Sequence, residues 1–479
     1  MMNNRRIKPW TGLLVFMLIL TACSPAVPTE NYSTTSTFIL TKSPTITATP
    51  EPTATITPTP VDLIGASTSD LRLTKVHFWY PWPGDVDVVM KKLISKFNGT
   101  NTWGIWVDGS LFGNYNDLFD AVNQSQGTDQ FPQLTVAFPE QAQIWLNQMG
   151  SIVDLAPYVT DPEVGYSPQD IVDFPQAFWN QDVDGKVRLG IPAMRSGQVI
   201  YYNETWAKEL GFTHPPKTLD EFQQQACKAA QVNLYLKQEG KPGTGGWIVD
   251  ASSRTMLSWL LSNGSTIDLE GTDIKFNTPE IQQTFEYLRV LYDQGCAWVS
   301  RNPEPYEYFS NRQALFYSGD VIDLPQQLAA DGRVKNNDQW TVIPFPTSQK
   351  QPVMLVYGPS FVVLKTSSRE QLAAWLFARW LSEPAQQEVL SEASGMLPVR
   401  ISAFNGMQTY RDQHPQWSSA VQLIPDAIVE PQSTNWLVAE KILQDAAHQL
   451  FQPETKPEQI PSILEQMDEM YGEVTSVNK

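Results

Sequence analysis

The sequence predicts an α/β protein built as two lobes, and three observations carry that prediction. About 400 of the 479 residues follow a short, compositionally biased N-terminal stretch, and a globular region of that length is too long for one simple core. Its 42% hydrophobic and 18% charged residues are ordinary for a folded protein. Short apolar runs alternate with helical patterns, the order expected of parallel strands joined by crossover helices.

The elements follow in sequence. Val76-His77-Phe78-Trp79-Tyr80 is apolar and aromatic and reads as a buried strand. After a break at 81–84, Val89, Leu93 and Phe97 recur every fourth residue and predict a helix over 86–97. A second strand is expected at 104–107, a helix over 115–124, a third strand at 134–138 and a helix over 141–149 that Gly150 stops. Thr218-Leu219-Asp220-Glu221 is a capping-box pattern that opens the helix holding Phe222 and Cys227. Thr278-Pro279-Glu280 opens another, with proline at the first helical position and an apolar face of Ile281, Phe285, Leu288 and Tyr292. Leu372, Trp375, Leu376 and Trp380 give 368–381 a core-facing side, and Ser382-Glu383-Pro384 begins the next helix.

The N-terminus reads as an export signal. Arg5, Arg6 and Lys8 precede an apolar run that ends in Leu20-Thr21-Ala22-Cys23, a pattern too short for an ordinary membrane span. Small residues before the cysteine resemble the bacterial lipobox, which implies cleavage ahead of Cys23 and acylation of that residue, and so a lipid anchor holding the chain on the outer side of the cell membrane. From 24 to 60 about half the residues are Thr or Pro, a composition with too little apolar surface to order itself. This tether, taken as 23–70, would reach about 150 Å if fully extended.

A net charge of −18 argues against nucleic acid and other polyanions as partners. Beyond Cys23 only Cys227 and Cys296 remain, and in an exported chain such a pair is expected to be oxidised. Sixteen Trp and sixteen Tyr would suit a pocket that stacks flat rings.

The ordered set of local patterns resembles family 1 extracellular solute-binding proteins, the ligand-capturing subunits of ABC sugar importers. It comprises Phe78-Trp79, Phe97-Asn98, 105–107 and 134–138, then Asp154-Leu155-Ala156-Pro157-Tyr158 and 184–192. Val199-Ile200-Tyr201-Tyr202-Asn203 and 216–222 are the strongest part, followed by 314–319, 343–346 and 395–400. The resemblance implies a type II, periplasmic-binding-protein-like fold of two α/β lobes with hinge crossings and an interlobe cleft. It assigns 1–22 to the signal peptide, 71–192 and 340–397 to one lobe, and 193–339 and 398–479 to the other. A first crossing is expected between Pro192 and Val199 and a second near 342–346. The implied partners are a carbohydrate ligand and the permease subunits of the importer, with the protein acting as a monomer.

Loops at the carboxyl ends of parallel strands are where α/β folds place ligands. That rule selects Trp79, Tyr80 and Trp82 after the first strand, Phe138 and Glu140 after the third, and Tyr201, Tyr202 and Asn203 in the other lobe. Asp85 is a further carboxylate candidate. Trp247 follows the glycine-rich Gly243-Thr244-Gly245-Gly246, whose backbone could approach a ligand closely. Asp320, Ser360 and Trp436 are implied by position in the family, although Asp320-Val321 stands where the family often has tryptophan. Aromatic faces packing on sugar rings and carboxylates answering hydroxyls would together recognise a saccharide.

Signals for catalysis are few. His77, His214, His414 and His448 show no metal-ligand spacing. No Gly-x-Ser-x-Gly, P-loop or His-Glu-x-x-His motif occurs, and no cofactor is expected. Paired carboxylates of a glycosidase remain the alternative.

Overall fold

The computed structural model describes residues 64–240, 243–268 and 274–477. The signal peptide, Cys23 and the Thr/Pro-rich stretch to residue 63 lie outside the described residues. The chain is ordered earlier than the expected tether boundary at 70. Ile64 and Leu71 are buried in the first core, Ser67 caps the turn Thr68–Asp70, and the Thr68 hydroxyl donates to Glu163 Oε1 at 2.6 Å.

Fourteen strands are assigned among the described residues. In chain order they are β1 (Lys75–Tyr80), β2 (Trp106–Leu111), β3 (Leu134–Ala137), β4 (Val183–Asp184), β5 (Val187–Arg188), β6 (Ile191–Pro192), β7 (Ser196–Asn203), β8 (Trp247–Ile248), β9 (Ala297–Trp298), β10 (Phe316–Asp320), β11 (Trp340–Ile343), β12 (Met354–Tyr357), β13 (Ser360–Val363) and β14 (Ala427–Val429). The first sheet has the order β2-β1-β3-β13-β6, with β1 parallel to both neighbours and β13 antiparallel to β3 and β6. The second runs β14-β12-β7-β10-β8-β9, with β11 also paired to β7; β4 and β5 form a separate hairpin. Parallel pairs β8–β10 and β8–β9 put three strand ends on one side of that sheet.

Two apolar cores form: the first covers the first sheet and continues over one side of the second through Tyr201, Tyr317 and Val356, and the other covers the second sheet's opposite side. Phe78, Phe97, Trp375 and Phe377 pack in the first, where the Trp375 indole also donates to Val164 O at 3.0 Å. Phe222, Trp259 and Phe316 pack in the second. The capping box at Thr218 forms as expected, the Glu221 N–H donating to Thr218 Oγ1 at 3.2 Å and Glu221 Oε2 accepting from the Thr218 N–H. The helix over 141–149 is split into a regular part, Pro139–Ile144, and a wider π turn, Trp145–Met149, before Gly150 adopts a left-handed conformation. Cys227 and Cys296 form a disulfide with α-carbons 4.3 Å apart, tying the helix Leu219–Gln238 to the entry of β9.

The chain crosses between sheets three times at one place. It passes from β6 to β7 through Ala193, Met194 and Arg195, and from β12 to β13 through Gly358 and Pro359. A third passage follows Gly395, where the Leu397 N–H donates to Arg195 O at 2.8 Å. The second crossing therefore falls at 358–359 rather than at the expected 342–346. Trp340–Ile343 runs antiparallel to β7, so both β11 and β12 belong to the second sheet. Gly358 is required where the crossings touch, because a Cβ there would collide with Met194 O and crowd Arg195 Cα.

Candidate functional site

The crossings are locked by a buried cation. Arg195 donates from Nη1 to Met194 O at 3.0 Å and Pro359 O at 2.6 Å, and from Nη2 to Asp182 Oδ2 and Ser360 Oγ, both at 3.0 Å. Ser360, expected to meet ligand, is thus engaged in the hinge and 2% exposed.

On the first-lobe side, Trp82 and Phe138 converge on Tyr115. The Trp82 indole donates to the Tyr115 hydroxyl at 2.7 Å, and the Phe138 ring lies 4.7 Å from the Tyr115 ring. Tyr115 also feels the charge of Arg195, so this aromatic group borders the crossings. Glu140 begins the next helix, which touches the second-lobe helix Thr434–Leu450. Burial pushes the Glu140 carboxyl up to about 7, with Glu430 and Glu440 adding like charge and Arg254 opposing it.

On the second-lobe side, five chain segments meet. Gln198 of β7 donates from Nε2 to Asp320 Oδ1 at 2.7 Å at the end of β10. Burial pushes Asp320 up to about 7, Asp323 adds to the rise, and Arg254 together with the Tyr357 hydroxyl opposes it. Arg254 donates from Nε to Glu430 Oε2 at 2.9 Å and lies 3.8 Å over the Tyr357 ring. Trp436 is buried beside them, its indole donating to Glu430 Oε1 at 3.4 Å.

Beyond this group a cavity of about 710 Å³ opens at the carboxyl ends of β8, β9 and β10, walled by Asp250, Arg301, Tyr306, Asp320, Asp323 and His448 among others. Its placement follows the strand-end rule for α/β sheets. Among the described residues no group of three His, Cys, Asp or Glu side chains could hold a metal ion.

Several expected residues lie elsewhere. Trp247 is fully buried between Phe222, Trp259 and Phe451, its indole donating to Ser318 Oγ at 3.2 Å, so it offers no free face. Its glycine-rich approach serves packing instead, since a Cβ on Gly246 would collide with the backbone of Ala226. Tyr80 is buried and donates to Asp87 at 2.9 Å; Trp79 packs on Phe112. Tyr201 and Tyr202 point to opposite sides of β7 and are both buried. The Tyr201 hydroxyl donates to Asp320 O at 2.7 Å and the Tyr202 hydroxyl to Gln225 Oε1 at 3.0 Å. Asn203 caps the helix Glu204–Glu209. Asp85 is exposed, beside a smaller cavity that Leu324, Tyr410 and Trp417 also line.

Comparison with known proteins adds to this geometry. A model of the family described as bacterial extracellular solute-binding protein matches residues 92–423. The sn-glycerol-3-phosphate-binding periplasmic protein UgpB of Agrobacterium fabrum is 22% identical over 346 residues, spanning 69% of this chain and 75% of that protein. Among solved structures, the cyclic alpha-maltosyl-1,6-maltose binding protein of Arthrobacter globiformis superposes with a TM-score of 0.69 at 19% identity, covering 84% of this chain and 99% of that one. UgpB of Mycobacterium tuberculosis, in complex with glycerophosphocholine, gives a TM-score of 0.67 at 16% identity over 84% of this chain and 99% of that one. At these identities the solved structures establish a shared fold.

Proposed function

Because the chain belongs to the bacterial extracellular solute-binding protein family, we propose that it is the substrate-binding subunit of an ABC importer, which captures a carbohydrate between its lobes and hands it to a membrane permease. The observation that carries this reading is the approach of the two lobes where Glu140 of the first meets the charges of Arg254, Glu430 and Glu440 of the second, next to a second-lobe cavity of about 710 Å³ at the strand ends. Solute that reached from that cavity to Glu140 would contact both lobes and so favour a closed state. Asp320, Arg254 and Glu430 would bind from the second lobe, positioned by the buried Gln198 and Trp436, with Trp82, Phe138 and Glu140 from the first. The lipobox motivates the finer proposal of export and anchoring through Cys23, the protein working as a monomer on the outer face of the membrane.

A glycosidase would need one carboxylate free to attack or to activate water, with a partner free to donate a proton. Glu430 is tied to Arg254 and Trp436, and Glu440 accepts from the Ser253 hydroxyl at 3.0 Å. Those two carboxylates are tied to protein partners, and the family match favours holding over turnover. Calorimetry against mono-, di- and oligosaccharides, followed by chromatography of the recovered sugar, tests the proposal. Stoichiometric binding with unchanged sugar supports it, and accumulation of shorter products at catalytic yield overturns it.

A further inference from the structure

The charges around the cleft are unequal. Asp250, Glu304, Asp320 and Asp323 belong to the cavity wall, and Glu140, Glu430 and Glu440 lie at the contact between lobes. Against them stand Arg254 and, on the exposed rim, Arg301 and His448. Arg254 is shared rather than free: its Nε is bonded to Glu430 and its plane covers Tyr357, so its single charge is set first against that carboxylate.

An anion bound at such a strand end commonly uses a helix N-terminus or a free arginine fork. Here the N-terminus of the helix Ser253–Ser262 is occupied. The Asp250 carboxylate accepts from the Ser252 N–H at 2.9 Å and from the Ser252 hydroxyl at 2.8 Å, while Ser252 Oγ accepts from the Thr255 N–H at 3.3 Å. Thr255 donates from Oγ1 to the same carboxylate at 2.5 Å. A phosphate brought to that turn would meet a carboxylate where it needs a donor. Hydroxyl groups meet no such obstacle, because Asp320 and Asp323 each accept from neutral donors, Gln198 and Tyr306, and keep lone pairs for more.

We infer that the cleft is built against anionic solutes: it takes an uncharged, hydroxyl-rich ligand and rejects phosphate esters, including the sn-glycerol 3-phosphate for which the relative above is named. The inference rests on the binding-protein reading and narrows it. A repulsive element discriminates a ligand from its own phosphate, and the surplus carboxylates supply one.

The test is calorimetry on the full chain at pH 7.5 and low salt. The neutral probes are glycerol, glucose, maltose and maltotriose; the anionic ones are glycerol 3-phosphate and glucose 6-phosphate. The expected result is binding of at least one neutral probe and at least a hundredfold weaker binding of every phosphate ester. Asp320→Asn and Glu140→Gln, each checked for folding by circular dichroism, are expected to narrow that gap at least threefold. A phosphate ester that binds as tightly as the best neutral probe, or tighter, overturns the inference and leaves the binding-protein reading intact. If a neutral probe binds but neither folded variant changes the discrimination, these carboxylates are not its source and the inference fails. If no probe of either class binds, the reading fails and the inference falls with it.

Discussion

Arg195 donates to Asp182 at 3.0 Å with the two side chains 0% and 2% exposed, and the same guanidinium reaches the carbonyl of Pro359 on a second crossing. One residue thereby holds two of the chain passages on which the lobes would hinge. Removing one partner of a buried ion pair leaves the other charged and dry. Arg195→Met is therefore expected to destabilise the protein by about 3–5 kcal/mol. Arg195→Lys should lose much of the same stability, because an ammonium cannot reproduce the planar fork. Urea unfolding measures both; a loss below 1 kcal/mol for either would remove the hinge lock from the account.

The disulfide Cys227–Cys296 closes a loop with a sequence separation of 69, which on the chain-entropy model contributes about 4 kcal/mol. The Cys227→Ser/Cys296→Ser double variant is expected to unfold at lower temperature, and reductant should shift the parent but not the variant. Equal shifts with and without the cysteines would show that the bond does not form in solution.

Trp247→Ala is expected to cost about 3–5 kcal/mol of stability, in line with its burial beside Trp259 and Phe451. Trp436→Ala touches the cleft through Glu430 and should weaken ligand by on the order of tenfold to a hundredfold. A Trp247→Ala protein with unchanged stability and lost binding would return that indole to the cleft.

pH dependence follows from two carboxyls. Burial raises Glu140 and Asp320 to about 7, so the folded protein binds protons that the unfolded chain releases nearer 4. Below about pH 4 these groups impose no penalty. The penalty grows as pH rises toward 7 and is complete above it. Folding stability should consequently rise as pH falls from 8 to 5.5, and Glu140→Gln should flatten that slope. Calorimetry across this range decides the matter; a slope of opposite sign in the parent would contradict the burial of Glu140 against Glu430 and Glu440.

Much of the fold was legible because it is periodic. The helices beginning after Thr218, Thr278 and Ser367 carry their caps and apolar faces within one stretch of chain. The cleft was harder to read. Gln198, Arg254, Tyr357 and Glu430 lie far apart in sequence and meet only because β7 sits between β12 and β10, with β14 beyond. Asp320, Glu140 and Trp436 were expected from strand ends and family position, and the structure places them near Arg254 and Glu430. Trp247 was misplaced because glycines before an aromatic signal close approach without saying to what, and here the neighbour is the helix backbone at Ala226. The misplaced crossing has a similar cause: the apolar pattern of β11 suits either sheet, and only its pairing with β7 assigns it.

The burial of Ile64 and Leu71 in the first core bears on which half of the machine would stand still. Ile64, Leu71 and the Thr68–Glu163 bond fasten the incoming strand of polypeptide to the first lobe, whereas the helix Ile460–Val477 rides on the second. Anything that holds the protein by its upstream stretch makes the first lobe the stator. Under the proposed closure the second lobe would then do the swinging, and Asp320, Glu430 and Glu440 would carry negative charge toward Glu140 of the first. A fluorophore on the outer side of the last helix would trace the whole arc of that swing, while one near Thr68 would register none of it.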